Sequence, residues 1–220
     1  MSGLVDGAEH WPILSHEVQA VGRVCSFVED EVRLPDGSTM RRQWVTHPGA
    51  VAIMALDERR RVAVVHQYRH PVAARLVEPP AGLLDVADED PLAAARRELA
   101  EEAMLSADDW RVLVDPFTSP GGLQESIRIY LARGLHQVPR PDGFVVEAEE
   151  IDMGISWKPL DELVEDVYAG RVHNPSMIYG TLALALAIAQ DRLDSLRPAD
   201  APWPARDNQA ARDAEIDGLG

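Results

Sequence analysis

Three glutamates crowd one short stretch of this sequence. Glu98, Glu101 and Glu102 follow Arg97 in the segment Arg-Glu-Leu-Ala-Glu-Glu. On a helix, Glu98 and Glu102 would lie on one face because they are four residues apart, with Glu101 beside them. Like charges at this spacing destabilise an isolated helix by a few tenths of a kcal/mol. Arg97 can compensate only part of the cluster, and a hard divalent cation such as Mg2+ would satisfy the rest.

The residues upstream of these glutamates favour a built site. An isolated segment of this composition is most often a charged, solvated helix face. Here the rigid turn 78–82, Glu-Pro-Pro-Ala-Gly, precedes it, and Asp90 with Pro91 offers a helix N-cap followed by proline at the first helical position. A sharp loop just before the helix lets a backbone carbonyl join the carboxylates around a metal. We therefore predict a metal site beside a helix that begins near Pro91.

The elements that must position this site alternate between strands and helices. The two apolar runs 50–56 and 62–65 are separated by a polar tip and predict a hairpin. Further strands are predicted within 17–32, 41–45, 110–114, 127–132 and near 155–157, and further helices at 160–168 and 177–190. We expect an N-terminal β portion over 1–47, a main α/β domain over 48–195, and a mobile tail over 196–220, which is rich in Pro, Asp, Ala and Arg.

Charge and composition exclude several function classes. The formal net charge of −16 argues against a nucleic-acid partner, which would need a basic face. A phosphate substrate remains compatible with this charge if divalent cations sit between carboxylates and phosphates. No run approaches the ~20 apolar residues of a membrane span, and the N-terminus is unlike a signal peptide. Cys25 is the only cysteine, so an internal disulfide is excluded and a reducing cytoplasm is the expected location.

The stretch from Gly82 to Leu105 resembles the Nudix box, G-x5-E-x7-R-E-U-x-E-E-x-G-U, in which U is aliphatic. The spacing from Glu89 through the Arg-Glu-Leu-Ala-Glu-Glu segment to Leu105 fits this pattern. Six residues, not five, separate Gly82 from Glu89, and Met104 stands where the family has its second glycine. The second departure removes the residue that most easily forms a left-handed helix end. Neither departure removes a carboxylate.

Further segments look like the ADP-ribose pyrophosphatase branch of this family. Pro120 lies fifteen residues past Leu105 within Ser-Pro-Gly-Gly, and the other similar segments are 47–51, 67–69 and 78–82. The resemblance extends over roughly residues 17–190. It implies an α/β/α sandwich with a mixed sheet, preceded by a small antiparallel portion that is exchanged between the subunits of a homodimer. It also implies hydrolysis of ADP-ribose to AMP and ribose 5-phosphate.

The resemblance implies roles for the box residues. Arg97 would orient the glutamates, and Glu89 would tie the loop to the helix. Two or three divalent cations, Mg2+ or alternatively Mn2+, would bind at each site. Glu101 would act as a metal ligand or as a residue that contacts a metal ligand. The implied metal ligands are the Ala81 carbonyl, Glu98, Glu101 and Glu102.

Residues outside the box would supply the base and bind the substrate. The segment 147–152 matches the loop that carries the general base, and we favour Glu150 over Glu149, which a one-residue slip in alignment would exchange. For the substrate, Arg69 can bind a phosphate, and Glu78 and Glu125 can accept hydrogen bonds from ribose hydroxyls. The full set of implied substrate contacts is Arg69, Glu78, Pro120, Gly121 and Glu125.

Two other functions stay open at this point. One is a Nudix hydrolase for another nucleoside diphosphate sugar, because the box sets the chemistry while side loops set the leaving group. The other is a catalytically silent module that only binds a nucleotide. Alternatives also stay open for individual residues. Arg69 or Glu125 could be an ordinary surface residue, and the segment 147–152 could be a solvated acidic loop without a catalytic role.

Overall fold

The computed structural model describes residues 4–141 and 154–219. Its strands, in chain order, are β1 (Ile13–Val21), β2 (Ser26–Arg33), β3 (Thr39–Val45), β4 (Ala50–Ala55), β5 (Arg61–Arg69), β6 (Ala74–Glu78), β7 (Ala81–Leu83), β8 (Leu105–Val114), β9 (Ile127–Gln137), β10 (Gly154–Pro159) and β11 (Arg197–Pro198). Its α-helices are α1 (Pro91–Ala103), α2 (Leu160–Tyr168), α3 (Pro175–Ala189) and α4 (Pro204–Asp217).

The chain divides into two compact units. The first unit takes the described residues of Met1–Gly49, Phe117–Ser126 and Pro202–Gly220, and the second takes those of Ala50–Pro116 and Ile127–Ala201. In the first unit, β1, β2 and β3 form an antiparallel sheet in that order. This sheet is the N-terminal antiparallel portion expected from the sequence.

The second unit contains a five-stranded mixed sheet in the order β11-β8-β9-β4-β7 and an antiparallel sheet in the order β10-β5-β6. The β4–β9 pair is parallel. The hairpin predicted from the runs 50–56 and 62–65 is wrong. Only one bridge, between Leu56 and Val62, joins the two runs, and β4 and β5 belong to different sheets. Because β4 is buried along its whole length, it is an interior strand with its own partner on each side.

Helices cover both faces of the mixed sheet. Met54 lies in one apolar cluster with Met177 and Leu184 of α3. Gly180 permits this close packing, since a Cβ there would lie 2.6 Å from the Met54 sulfur. The α1 helix packs against β4, β7 and β8, but its buried residues do not belong to that cluster. The expected α/β/α arrangement is confirmed.

The start of α1 follows the sequence prediction closely. The Asp90 carboxylate accepts hydrogen bonds from the backbone N–H groups of Leu92 (2.9 Å) and Ala93 (3.2 Å), and Pro91 takes the first helical position. The helix ends at Met104, which has a left-handed φ of 54° and donates its N–H to the Ala100 carbonyl. A non-glycine residue therefore makes the turn that the family pattern gives to glycine.

The expectation of a mobile tail over 196–220 is wrong. Residues 197–198 form β11 against β8, and 204–217 form α4. Hydrophobic periodicity does not predict α4, because none of its residues is buried and polar side chains hold it in place. No helix in the described part of the chain is long and apolar enough to cross a membrane.

Candidate active site

Arg97 is the centre of a carboxylate cluster on α1. Its guanidinium donates from Nε and Nη2 to the two oxygens of Glu89, each at 3.0 Å. From Nη1 it donates to Glu98 at 2.6 Å and to Glu101 at 3.0 Å. The Arg97 guanidinium thus joins the loop before the helix to two glutamates of the helix. The arrangement agrees with the orienting role expected of Arg97 and the tying role expected of Glu89.

Glu102 joins the same helix to the adjoining strand. Its side chain is buried, with the residue only 7% exposed, and its Oε2 accepts a hydrogen bond from the Ala81 backbone N–H at 2.9 Å. Ala81 begins β7, which pairs with β4 in the mixed sheet. The predicted ligands Ala81 and Glu102 are therefore in direct contact.

Gly82 makes room for the remaining predicted ligand. A Cβ on Gly82 would lie 2.0 Å from Oε1 of Glu98 and 2.1 Å from its Cδ. Such distances are far inside van der Waals contact, so only glycine lets the Glu98 carboxylate lie against β7. The turn before the helix and the helix itself are fitted to each other at this point.

The electrostatics of the cluster are dominated by Arg97. Hydrogen bonding to Glu89, and then the nearby charge of Glu98, raise the pKa of Arg97 above its ordinary value against the opposing effect of burial. The hydrogen bond from Arg97 also holds the pKa of Glu89 below its ordinary value. Arg97 contacts the three carboxylates of Glu89, Glu98 and Glu101, which leaves two formal negative charges, and Glu102 adds a further carboxylate on the same helix. Such an excess favours binding of cations.

The donor chemistry of this cluster fits a hard divalent cation. Three largely buried carboxylates share a helix face, and the glycine at position 82 leaves space beside one of them. Among residues 4–141 and 154–219, no three His, Cys, Asp or Glu side chains converge as a closed metal site would. Glu98 and Glu101 are instead turned toward Arg97.

Arg69 and Glu78, both predicted to bind substrate, contact each other. Arg69 Nε and Nη2 donate to the Glu78 carboxylate at 3.0 Å and 2.6 Å in a bidentate pair. Glu78 is 2% exposed, whereas the Arg69 side chain is 40% exposed. The buried carboxylate therefore fixes a guanidinium that is partly accessible to solvent. This geometry suits Arg69 as an anion-binding group and leaves Glu78 as its support.

Glu125, in the first unit, is held by two neighbours. Its Oε2 accepts from the Thr118 hydroxyl at 2.5 Å, and its Oε1 lies 3.4 Å from Nε2 of His47. The Gly49 N–H donates to Nδ1 of His47, which places the imidazole proton on Nε2, toward Glu125. Burial lowers the pKa of His47, against the raising effect of Glu125. His47 lies in the family-like segment 47–51 but is not among the site residues predicted from the sequence.

Pro120 and Gly121 lie in the same segment as Glu125, which we call the 117–126 loop (Phe117–Ser126). Its backbone is hydrogen-bonded to the end of β3. The Val45 N–H donates to the Gly122 carbonyl, and the Gln124 N–H donates to the Val45 carbonyl. The predicted bases Glu149 and Glu150 lie outside the described residues. The predicted site residues thus fall into an α1 cluster, an Arg69–Glu78 pair and the 117–126 loop.

Comparison with known proteins gives the same assignment as the box residues. A sequence model of the NUDIX domain matches residues 45–177. The chain is 43% identical to an ADP-ribose pyrophosphatase of Mycobacterium tuberculosis over 213 residues, which cover 94% of this chain and 99% of that protein. It is 36% identical to a methanol dehydrogenase activator of Bacillus methanolicus, over 75% of this chain and 87% of that protein.

A solved structure gives the corresponding likeness in fold. The crystal structure of an ADP compounds hydrolase matches 86% of this chain and 100% of its own, with a TM-score of 0.64 at 18% sequence identity. The carboxylate cluster of α1, the match over residues 45–177 and the full-length relative agree with one another. The chain belongs to the NUDIX domain family.

Proposed function

We propose that this chain hydrolyses the diphosphate of ADP-ribose to AMP and ribose 5-phosphate, with divalent cations as cofactors. The observation that carries the proposal is the α1 carboxylate face, organised by Arg97 and set against β7. The relative that is 43% identical over nearly its whole length is named an ADP-ribose pyrophosphatase, which supports this substrate over others.

Glu98, Glu101 and Glu102, with the carbonyl of Ala81, would hold the cations. Mg2+ is the expected metal and Mn2+ the alternative, with two or three ions at each site. Bound cations would neutralise the diphosphate and lower the pKa of an attacking water. The chain's own part is to hold the carboxylates in place, which Arg97 does by binding Glu98 and Glu101 together.

The general base of this proposal is Glu150, with Glu149 as the alternative. A carboxylate that removes a proton from the attacking water must reach it at hydrogen-bond distance. The glutamates of α1 already have partners in Arg97 and in the Ala81 N–H. With a base from a separate segment, these glutamates would bind the cations and would not also have to remove the proton.

Arg69 would bind a phosphate oxygen of the substrate. A guanidinium forms charge-assisted hydrogen bonds with phosphate, and its pairing with buried Glu78 fixes its direction. Glu78 would then act through Arg69. Pro120, Gly121 and Glu125 would contact the ribose part from the 117–126 loop.

A homodimer that exchanges the first 47 residues is part of the proposal. Apolar side chains on β1 and β2 are exposed in the single chain: Val18 is 51%, Val21 79% and Phe27 40% exposed. Exposed apolar side chains on a sheet are candidates for a subunit interface. Light scattering at assay concentration should give the mass of a dimer, and an active monomer would contradict the exchange.

A substrate panel tests the proposed specificity. We expect kcat/KM for ADP-ribose to exceed the values for other nucleoside diphosphate sugars, with AMP and ribose 5-phosphate as products. A preference for another sugar would keep the hydrolase chemistry and change the substrate. Nucleotide binding without turnover of any compound, in the presence of Mg2+, would identify the chain as a silent binding module.

The substrate is a small molecule in either enzymatic case, and the charge of −16 argues against nucleic acid. We place the enzyme in the cytoplasm, as its single cysteine suggests.

A further inference from the structure

The C-terminal helix α4 is fastened to the 117–126 loop by the side chain of Gln209. The amide oxygen of Gln209 accepts a hydrogen bond from the Ser126 hydroxyl at 2.8 Å, and its amide nitrogen donates to the Gln124 carbonyl. Ser126 is 1% exposed, so its hydroxyl depends on a protein partner. One side chain therefore satisfies two polar groups of the loop at once.

A second pair of contacts strengthens the same connection. The Gln124 side chain donates to Asp213 of α4 at 2.9 Å. One turn from Gln209, Arg206 donates to the Pro48 carbonyl at 2.7 Å. Gly49 has a left-handed φ of 87°, and a Cβ there would lie 2.7 Å from the Arg206 guanidinium. The α4 helix thus reaches both the loop and the segment that carries His47, the partner of Glu125.

These contacts are polar and directional, and α4 buries none of its residues. An apolar helix would stabilise the unit chiefly through the area it removes from water. A helix joined by side-chain hydrogen bonds to particular carbonyls and hydroxyls instead fixes the positions of those groups. In addition, α4 lies outside residues 45–177, the range that matches the NUDIX domain.

We propose that α4 is a positioning element for the 117–126 loop and that Gln209 is its main positioning residue. Gln209 does not itself contact substrate. It holds the Gln124 carbonyl and Ser126, on either side of Glu125, so that the loop keeps the shape that substrate binding requires. The inference rests on the proposed function, in which Pro120, Gly121 and Glu125 contact the substrate.

The test compares Gln209→Ala with Asn208→Ala in the full-length protein. Asn208 is the neighbouring amide on α4; it is exposed and makes no side-chain hydrogen bond among the described residues. Loss of the Gln209 hydrogen bonds should raise KM for ADP-ribose about 2- to 10-fold, while kcat stays within about twofold. Asn208→Ala should match the wild type in both constants. Hydrogen exchange should accelerate in the peptide covering 117–126 of Gln209→Ala and stay unchanged in the peptide covering α1.

A double-mutant cycle with Ser126→Ala tests the contact itself. If the Gln209–Ser126 hydrogen bond transmits the effect, the two substitutions together should raise KM by less than the product of their separate effects. An unchanged KM and unchanged loop exchange in Gln209→Ala would overturn the inference. So would an equal effect of Asn208→Ala, or a loss confined to kcat. Failure of the wild-type protein to hydrolyse ADP-ribose would refute the proposed function instead, and the exchange comparison would still test the positioning role.

Discussion

Gly82→Ala should separate the stability of this protein from its activity. The added methyl group would lie 2.0 Å from Oε1, 2.1 Å from Cδ and 2.5 Å from Cγ of Glu98, so the two side chains cannot both keep their places. The three atoms nearest to the added methyl group all belong to the flexible side chain of a glutamate, which can move. We therefore expect the Glu98 carboxylate to leave β7 while the fold persists.

The magnitudes follow from what Glu98 loses. Its ion pair with Arg97, at 2.6 Å, joins two side chains that remain partly accessible, so its loss should cost about 1 kcal/mol or less in the free energy of unfolding. Displacement of a proposed metal ligand should lower turnover and metal affinity by roughly 10- to 100-fold, the range found when groups that orient metal ligands are removed.

The assay pairs chemical denaturation with Mg2+-dependent turnover of ADP-ribose. Gly154→Ala is the matched control, since Gly154 also lies in a strand and a Cβ there would meet no atom of residues 4–141 or 154–219 within 4 Å. It should leave both measurements unchanged. Full activity of Gly82→Ala would refute the reasoning, because the position of Glu98 against β7 would then be irrelevant to catalysis.

Three further predictions concern single side chains. Glu102→Gln keeps the shape but removes a charge that cation binding needs, so both metal affinity and turnover should fall; an unchanged affinity in metal titration would exclude Glu102 as a ligand. Glu150→Gln should slow turnover by ~10²–10⁴-fold with metal binding retained, and Glu149→Gln should cost far less; the reverse order would move the base to Glu149, and no loss in either would place it outside 147–152. Because burial lowers the pKa of His47 below its ordinary 6.5, the unfolded chain takes up that proton first, and stability should be lost as the pH falls from about 6.5 through the folded pKa. His47→Gln should flatten the pH dependence of the unfolding free energy in that window, and an unaltered slope would contradict this account.

Local signals in the sequence were sufficient to predict helix α1 and the placement of its glutamates. Asp90 and Pro91 mark the start of α1 through capping chemistry that involves only neighbouring residues, and the structure confirms it. The i, i+3 and i, i+4 spacing of the α1 glutamates likewise places them on one face without knowledge of the rest of the fold. Such features depend on short stretches of chain.

Features that depend on distant partners could not be predicted in this way. Strands β4 and β5 are neighbours in sequence and both strongly apolar, but their pairing was decided by β9, β7, β6 and β10. The sequence predicts Arg69 and Glu78 as two separate substrate contacts. Their bidentate ion pair could not be predicted because it forms only when β5 and β6 align. Helix α4 could not be predicted because the residues that hold it lie 83 positions away or more, as in the Gln209–Ser126 hydrogen bond.

We propose above that the α1 carboxylates act with divalent cations on the diphosphate of ADP-ribose. The most direct test is turnover of ADP-ribose by metal-free protein during titration with Mg2+, with both products quantified. We predict no turnover before Mg2+ is added, and afterwards AMP and ribose 5-phosphate in equal amounts. Full activity in excess chelator would contradict the account, as would the absence of turnover at saturating Mg2+.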